Sequence, residues 1–423
     1  MANMANRLIG LLGILVLLAL AFAGSTQRNR IYWRTVAWGL GLQFLFALLI
    51  LRTGMGRSFF SWFNNAVNVL LGFQYEGAQF VFNALGVPPG KPGSLGFFFA
   101  FQVLTTIVFF SSLISILYYL GLLQRLVRLF ARIMMLTCKV SGAEALSASA
   151  NIFVGQTEAP LLVKPYIGAM TRSELLCVMT GGMATVAGGV LAAYVALLQP
   201  HFPDIAGHLL AASVMSAPAA LVMAKLLLPE TERPHTLGTV DVPYKDPSVN
   251  VIEAAANGAT TGLQLALNVG AMLVAFMSLL AMADWGVQKL FAVFGGEGIG
   301  LSTLLGWLFA PLAWLMGVPA EECRIVGSWM GQKTLLNEFV AYTQLANYAA
   351  DPAHAPLHYR SYVIATYALC GFSNFLSIGI QIGGIGGLAP ERRQDLARLG
   401  LRALVGGSFA CFLTAAIAGL LTP

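Results

Sequence analysis

Eight stretches of this chain are apolar over about the length that crosses a bilayer, and nothing else in the sequence limits the fold as much. They fall at roughly 8–24, 36–53, 97–121, 174–198, 209–228, 259–282, 361–382 and 403–421. A hydrocarbon layer of about 30 Å needs a helix of about 20 mostly apolar residues. Of the 423 residues, 57% are hydrophobic and 10% charged, where a soluble domain carries about 25% charge. Such a chain cannot cover itself with polar surface, so its solvent is lipid. The fold class expected is an all-α polytopic membrane protein with eight transmembrane helices.

The basic residues set the direction of each span. Only Arg7 precedes the first apolar run, while Arg28, Arg30 and Arg34 follow it. Basic loops stay in the cytoplasm. The run and its Ala21-Phe22-Ala23 resemble a cleavable signal, but this charge order favours a retained span with the N-terminus outside. Alternating from there, every basic-rich loop falls on the cytoplasmic side and both termini lie outside. Residues 54–95 read as a long external loop, and 283–300 as a short external helix and turn. Arg125, Arg128 and Arg132, spaced three and four apart, form one basic face opposite apolar residues, the pattern of an interfacial helix. The net charge of +6 serves topology and does not make a nucleic-acid surface. Cys138, Cys177, Cys323, Cys370 and Cys411 form no CxxC and read as small core residues.

Two segments, about 141–168 and 318–347, are too polar for ordinary spans. The first contains Gly155-Gln156-Thr157-Glu158-Ala159-Pro160. The second contains Gly331-Gln332-Lys333-Thr334 and then Asn337-Glu338. Each follows an amphipathic or interfacial helix and precedes two spans. The topology has them enter from opposite faces, which makes an inverted repeat of the kind secondary transporters use. Gly155 and Pro160 disfavour a continuous helix. Irregular backbone survives at membrane depth only inside protein or along a cavity. Each segment therefore reads as a re-entrant helical hairpin with its tip at a polar ligand.

Carboxylates inside a membrane are costly and mark sites, which singles out Glu158 and Glu338. Asn374 and Ser377 share a spacing of three in the seventh span, flanked by Phe372 and Phe375. Carboxylates, amides and hydroxyls beside aromatic rings suit a neutral, polyhydroxylated ligand with a flat ring. Asn151, the Val154 carbonyl and Thr185 offer uncharged oxygens that suit a small cation such as sodium, although Asn and Thr in buried helices also simply bond a neighbouring helix. No P-loop, GxSxG or HExxH occurs, and His201, His208, His235, His354 and His358 fall in loops or at span edges. No catalytic role or enzymatic cofactor is expected.

The blocks NIFVGQTEAPLLVKPY, TGGMATVAGGVLAAY, NVGAML, NEFVAY and GFSNFLSIGIQIGG together resemble the concentrative nucleoside transporters, the sodium/nucleoside symporters, in their shorter bacterial form. The resemblance covers about residues 30–420. It implies eight spans, two opposed hairpins, interfacial helices, an elevator-like movement, a homotrimer and the bacterial inner membrane. It implies a division into scaffold spans 1–3 (1–121), a first transport repeat (122–228), a cytoplasmic loop with scaffold span 6 (229–282) and a second transport repeat (283–423). It also implies roles. Gln156, Thr157 and Glu158 contact the base, Val190 and Leu265 line its pocket, and Glu338, Asn374 and Ser377 bind ribose, with Phe372 beside them. Asn151, Val154, Thr185 and Val186 make the sodium site. GQTEAP as written matches the sodium-coupled pattern over the proton-coupled one. Uridine and other pyrimidine nucleosides, and adenosine, are the expected substrates. Competing readings are a proton-coupled symporter, a passive channel, and an intramembrane enzyme using Glu158 and Glu338 as acid and base.

Overall fold

The computed structural model describes residues 2–238, 248–293, 298–353 and 355–422. Parts of the polar loop after span 5, of the 283–300 segment, and His354 lie outside the described residues. The described residues form eighteen α-helices and no strand. They are α1 (Ala2–Ala23), α2 (Trp33–Leu51), α3 (Gly54–Phe82), α4 (Phe99–Gln102), α5 (Leu104–Tyr119), α6 (Leu122–Cys138), α7 (Gly142–Ala150), α8 (Lys164–Ile167), α9 (Arg172–Ala184), α10 (Gly188–Leu198), α11 (Ile205–Leu227), α12 (Val251–Val293), α13 (Leu301–Leu315), α14 (Cys323–Leu335), α15 (Glu338–Ala350), α16 (Tyr359–Leu369), α17 (Phe375–Leu388) and α18 (Arg393–Leu421).

Seven helical segments are long and apolar enough to cross a membrane: Met4–Ala23, Trp33–Leu51, Phe99–Tyr119, Arg172–Leu198, Ile205–Leu227, Val251–Val293 and Pro390–Leu421. The remaining expected span, the seventh at 361–382, is divided. Its two pieces, α16 and α17, are separated by Cys370–Asn374. Span 4 is interrupted in the same way at Thr185–Ala187, between α9 and α10. Both interruptions sit beside glycine: Gly371 has φ +153, a conformation that disfavours side chains.

Two external loops are corrected. Residues 54–82 are a 29-residue helix, not a loop. Its many amides and glycines fail a hydropathy window, yet nothing in it stops helix formation before Asn83, whose φ is +52. Likewise the expected short helix from 283 continues α12 to Val293, giving 43 residues in one helix.

The amphipathic α6 is as expected. Leu123, Val127, Ala131 and Met134 are buried on one side, and Arg125, Arg128 and Arg132 are exposed on the other. The two helices that follow begin with capping boxes, Ser141/Glu144 on α7 and Thr171/Glu174 on α9. Each box satisfies otherwise orphaned N–H groups. The boxes are joined, since Ser141 Oγ donates to Glu174 Oε1 at 2.6 Å and Lys225 Nζ lies 2.5 Å from Glu144 Oε1. That fixes the base of hairpin 1 against α9 and α11.

The order of elements repeats. A long helix (α5), an amphipathic helix (α6), a hairpin (α7 and the 3₁₀ turn Ala159–Val163), a broken span (α9, α10) and a whole span (α11) are followed by α12, α13, a second hairpin (α14, α15), a broken span (α16, α17) and α18. Within this order, α11 and α18 are buried along most of their length, while α12 leaves most of its apolar surface open. All five cysteines are buried and unpaired by disulfides.

Candidate functional site

The two broken spans meet at their breaks. Phe372 N–H donates to the Thr185 carbonyl at 3.2 Å, so one interruption satisfies the other's backbone. A Cβ on Gly371 would come within 2.8 Å of the Met183 carbonyl and 2.6 Å of Cys411 Sγ. Only glycine lets the chains cross this closely. The hairpin tips arrive at the same place. Gly188 N–H donates to the Phe153 carbonyl at 3.1 Å, tying hairpin 1 to the start of α10.

Around this crossing lies one cavity of about 130 Å³. Its walls include Gln156, Thr157 and Glu158 from the hairpin 1 tip, Val190 from α10 and Leu265 from α12. Glu338 comes from hairpin 2, and Phe372, Asn374 and Ser377 come from the second break. All nine residues expected to face a ligand therefore share one cavity. Phe375 does not; it is half exposed on the far side of α17.

Hydrogen bonds hold the polar walls. Asn374 is the N-cap of α17, with its Oδ1 accepting from Ser377 N–H at 2.9 Å. Its Nδ2 donates to Glu338 Oε2 at 3.0 Å. Asn374 and Ser377 thus work as a cap pair at a helix start and not as two positions on one helical face. Tyr194 OH donates to the other oxygen, Glu338 Oε1, at 3.0 Å. Asn337 caps α15 through Val340 N–H at 2.8 Å. Lys333, buried completely, donates instead to the Ala368 carbonyl at 2.8 Å, at the end of α16. Gln156 Nε2 donates to Ser377 Oγ at 3.1 Å.

Glu158 is held differently. Its Oε2 is buried with no hydrogen-bond partner among the described residues. It lines the ligand cavity and also a neighbouring one of about 320 Å³ between hairpin 1, α5 and α12.

The residues expected at the cation site lie just behind the hairpin 1 tip. Asn151 follows α7, and Thr185 and Val186 follow α9; all three are buried, with Val154 half buried. Asn151 Nδ2 is spent on the Ser147 carbonyl at 3.0 Å, and its Oδ1 is buried without a partner among the described residues. Thr185 Oγ1 donates to the Gly181 carbonyl at 3.0 Å, so the hydroxyl oxygen keeps its lone pairs as acceptors. A Cβ on Gly181 would sit 3.2 Å from Asn151 Nδ2, so the two elements are in close contact there. An orphaned amide oxygen among neutral donors fits a small hard cation.

Two participants were not expected. Tyr194 is a plain apolar-run tyrosine whose role depends on an element 144 residues away. Gln381 was legible in principle, because it stands four residues beyond Ser377 and shares its face.

Comparison with known proteins identifies the family. The profile described as "Na+ dependent nucleoside transporter C-terminus" matches residues 208–419, that of the N-terminus matches 12–85, and "Nucleoside recognition" (Gate) matches 100–200. The uncharacterized transporter YutK of Bacillus subtilis is 44% identical over 98% of this chain and 99% of its own length. Sodium/nucleoside cotransporter 1 of Rattus norvegicus is 40% identical over 99% of this chain, which spans 64% of that longer protein. The solved structure of CNTnw in an inward-facing substrate-bound state superposes with a TM-score of 0.90 at 43% identity, covering 98% of each chain. The chain belongs to the Na+ dependent nucleoside transporter family.

Proposed function

We propose that this protein is a symporter that imports nucleosides, uridine and other pyrimidine nucleosides foremost and adenosine besides, driven by the sodium gradient. The observation that carries the reading is the single cavity with two unlike ends. One end is the amide, hydroxyl and carboxylate of Gln156, Thr157 and Glu158 beside the apolar Val190 and Leu265, which suits a base. The other is Glu338, held by Tyr194 and Asn374, with lone pairs left for ribose hydroxyls. Phe372 covers the sugar. A nucleoside is neutral, so the membrane potential acts on uptake only through a co-bound cation, at about 2.3 kcal/mol per charge per 100 mV. Asn151, Thr185 and the carbonyls of Val154 and Val186 hold that sodium ion.

The repeat units 122–228 and 283–423, except the stretch up to Val293 that continues α12, move together as the transport domain, like an elevator. The 229–282 region supplies the fixed α12, with α5 against it. The 1–121 region divides in this reading: α1 packs on α18 and α2 on α11, and that packing supports counting both with the moving part. The remainder is the scaffold at the centre of a homotrimer in the bacterial inner membrane, with both termini outside.

Uptake of radiolabelled uridine into proteoliposomes tests the function. An inward sodium gradient should drive accumulation above equilibrium, and an inward proton gradient without sodium should not. Accumulation on protons alone would contradict the sodium site, and equilibration without accumulation would make the protein a passive facilitator.

A further inference from the structure

Gln381 stands behind the ligand cavity and not on its wall. It is fully buried on α17, one turn beyond Ser377. Its Nε2 is 3.0 Å from the Met179 carbonyl of α9 and 3.1 Å from Oε1 of Gln156. Gly182 makes the approach possible: a Cβ there would lie 2.8 Å from both Gln381 Nε2 and Gln156 Cβ.

A backbone carbonyl only accepts. Met179 therefore fixes which end of the Gln381 amide faces it, and that NH₂ group meets Gln156. Gln156 must answer with its oxygen. Its own NH₂ is then turned to Ser377 Oγ at 3.1 Å. Ser377 Oγ accepts, so its hydroxyl hydrogen remains to be given away. A second chain runs from the opposite kind of anchor. Ser377 N–H only donates, so it fixes Asn374 Oδ1 and turns Asn374 Nδ2 toward Glu338. Two unambiguous backbone groups thus set the polarity of the whole site. The Gln156–Ser377 end offers hydrogens and the Glu338 end offers lone pairs.

We propose that Gln381 is a positioning residue that fixes the polarity of the Gln156 amide, so that the base is selected for a lone-pair atom, a carbonyl oxygen or unprotonated ring nitrogen, where it meets Gln156. This deepens the nucleoside reading above and rests on it.

The test is uptake kinetics for uridine, cytidine, adenosine, inosine and 2′-deoxyuridine in the unmutated protein, Gln381→Leu and Gln156→Glu. In Gln381→Leu the Gln156 amide is free to turn over. Ratios of kcat/KM among the four ribonucleosides should then shrink by about 10-fold, the worth of one oriented hydrogen bond. The ratio of uridine to 2′-deoxyuridine, set at the Glu338 end, should hold. A uniform fall with base ratios unchanged would make Gln381 merely structural and overturn the proposal. Gln156→Glu keeps an acceptor for Gln381 but presents a second acceptor to the ligand. Bases that offer an amino group should gain on those that offer a carbonyl, and an unchanged order would overturn the proposal even if Gln381→Leu fails to fold. If the unmutated protein accumulates no nucleoside, the functional reading itself fails and takes the proposal with it, a result distinct because no variant is involved.

Discussion

Glu158 and Glu338 stand on opposite hairpins and line one cavity, yet their oxygens are held differently. Both oxygens of Glu338 accept hydrogen bonds at 3.0 Å, from Tyr194 and Asn374. Glu158 Oε2 is buried with no partner among the described residues, and so is Asn151 Oδ1 on the same hairpin. The helix starts differ in the same sense. Asn337 and Asn374 cap α15 and α17 with their own side chains, whereas the start of α10 after Ala187 has no side-chain cap.

The difference divides the labour of binding. A carboxylate has about four acceptor positions, so Glu338 is fixed by two donors and still has lone pairs for a ligand. It is preorganised, and little reorganisation is needed when hydroxyls arrive. A buried polar group without a partner carries an energetic penalty that a bound ligand or ion relieves. Hairpin 1 therefore carries the penalty, and whatever binds first there lowers the cost for the second. In the proposed function that makes a coupling free energy between sodium and nucleoside, and such a coupling is reciprocal.

The largest effect expected is at the preorganised end. Glu338→Ala removes the proposed ribose acceptor and strands Tyr194 OH and Asn374 Nδ2. Uridine uptake should fall by roughly 100-fold, about 3 kcal/mol, measured as kcat/KM in proteoliposomes. Retention of more than a tenth of the activity would mean the sugar is held elsewhere.

A gentler version of the same comparison changes the ligand. Removing the ribose hydroxyl that Glu338 accepts leaves one buried acceptor unmet, at about 1–3 kcal/mol. Competition by 2′- and 3′-deoxyuridine against labelled uridine should show at least one of them roughly 10-fold weaker. Equal competition by all three would move the sugar away from Glu338.

At the other end, Thr185→Ala removes one oxygen from the cation position. The sodium concentration for half-maximal uptake should rise by roughly 10-fold, with uridine KM at saturating sodium nearly unchanged. A raised uridine KM at saturating sodium would place Thr185 in the nucleoside site.

The last and smallest effect concerns the seam between the halves. Gly182→Ala puts a methyl group against Gln156 and Gln381, an overpacking that should cost about 1–3 kcal/mol of thermal stability in detergent. An unchanged melting temperature would show that the hairpin tip is free to retreat.

Much of this was legible in the sequence because lipid enforces simple rules. Long apolar runs had to be helices, and polar residues among them had to face something polar. The GQTEAP and NEFVAY blocks therefore led to the cavity. What escaped were features that depend on contacts far apart in the chain. Span 4 reads as a continuous apolar run through Thr185, and only the crossing with Gly371 and Phe372 shows why its helix stops there. Tyr194 looks like core until Glu338 is placed beside it. Helix α3 escaped for another reason: Asn64, Asn65, Asn68, Gln74 and Gln79 lower its hydropathy without interrupting its helix.

The comparison of the two carboxylates is tested most directly by calorimetric binding of uridine to the purified protein with and without sodium, in the unmutated chain, Glu158→Gln and Glu338→Gln. Sodium should tighten uridine binding by about 10-fold or more in the unmutated protein, within the usual range of coupling energies. Glu158→Gln should lose most of that enhancement, while Glu338→Gln should bind more weakly overall and keep it. Full enhancement in Glu158→Gln, or its loss in Glu338→Gln, would contradict the assignment of coupling to the first hairpin.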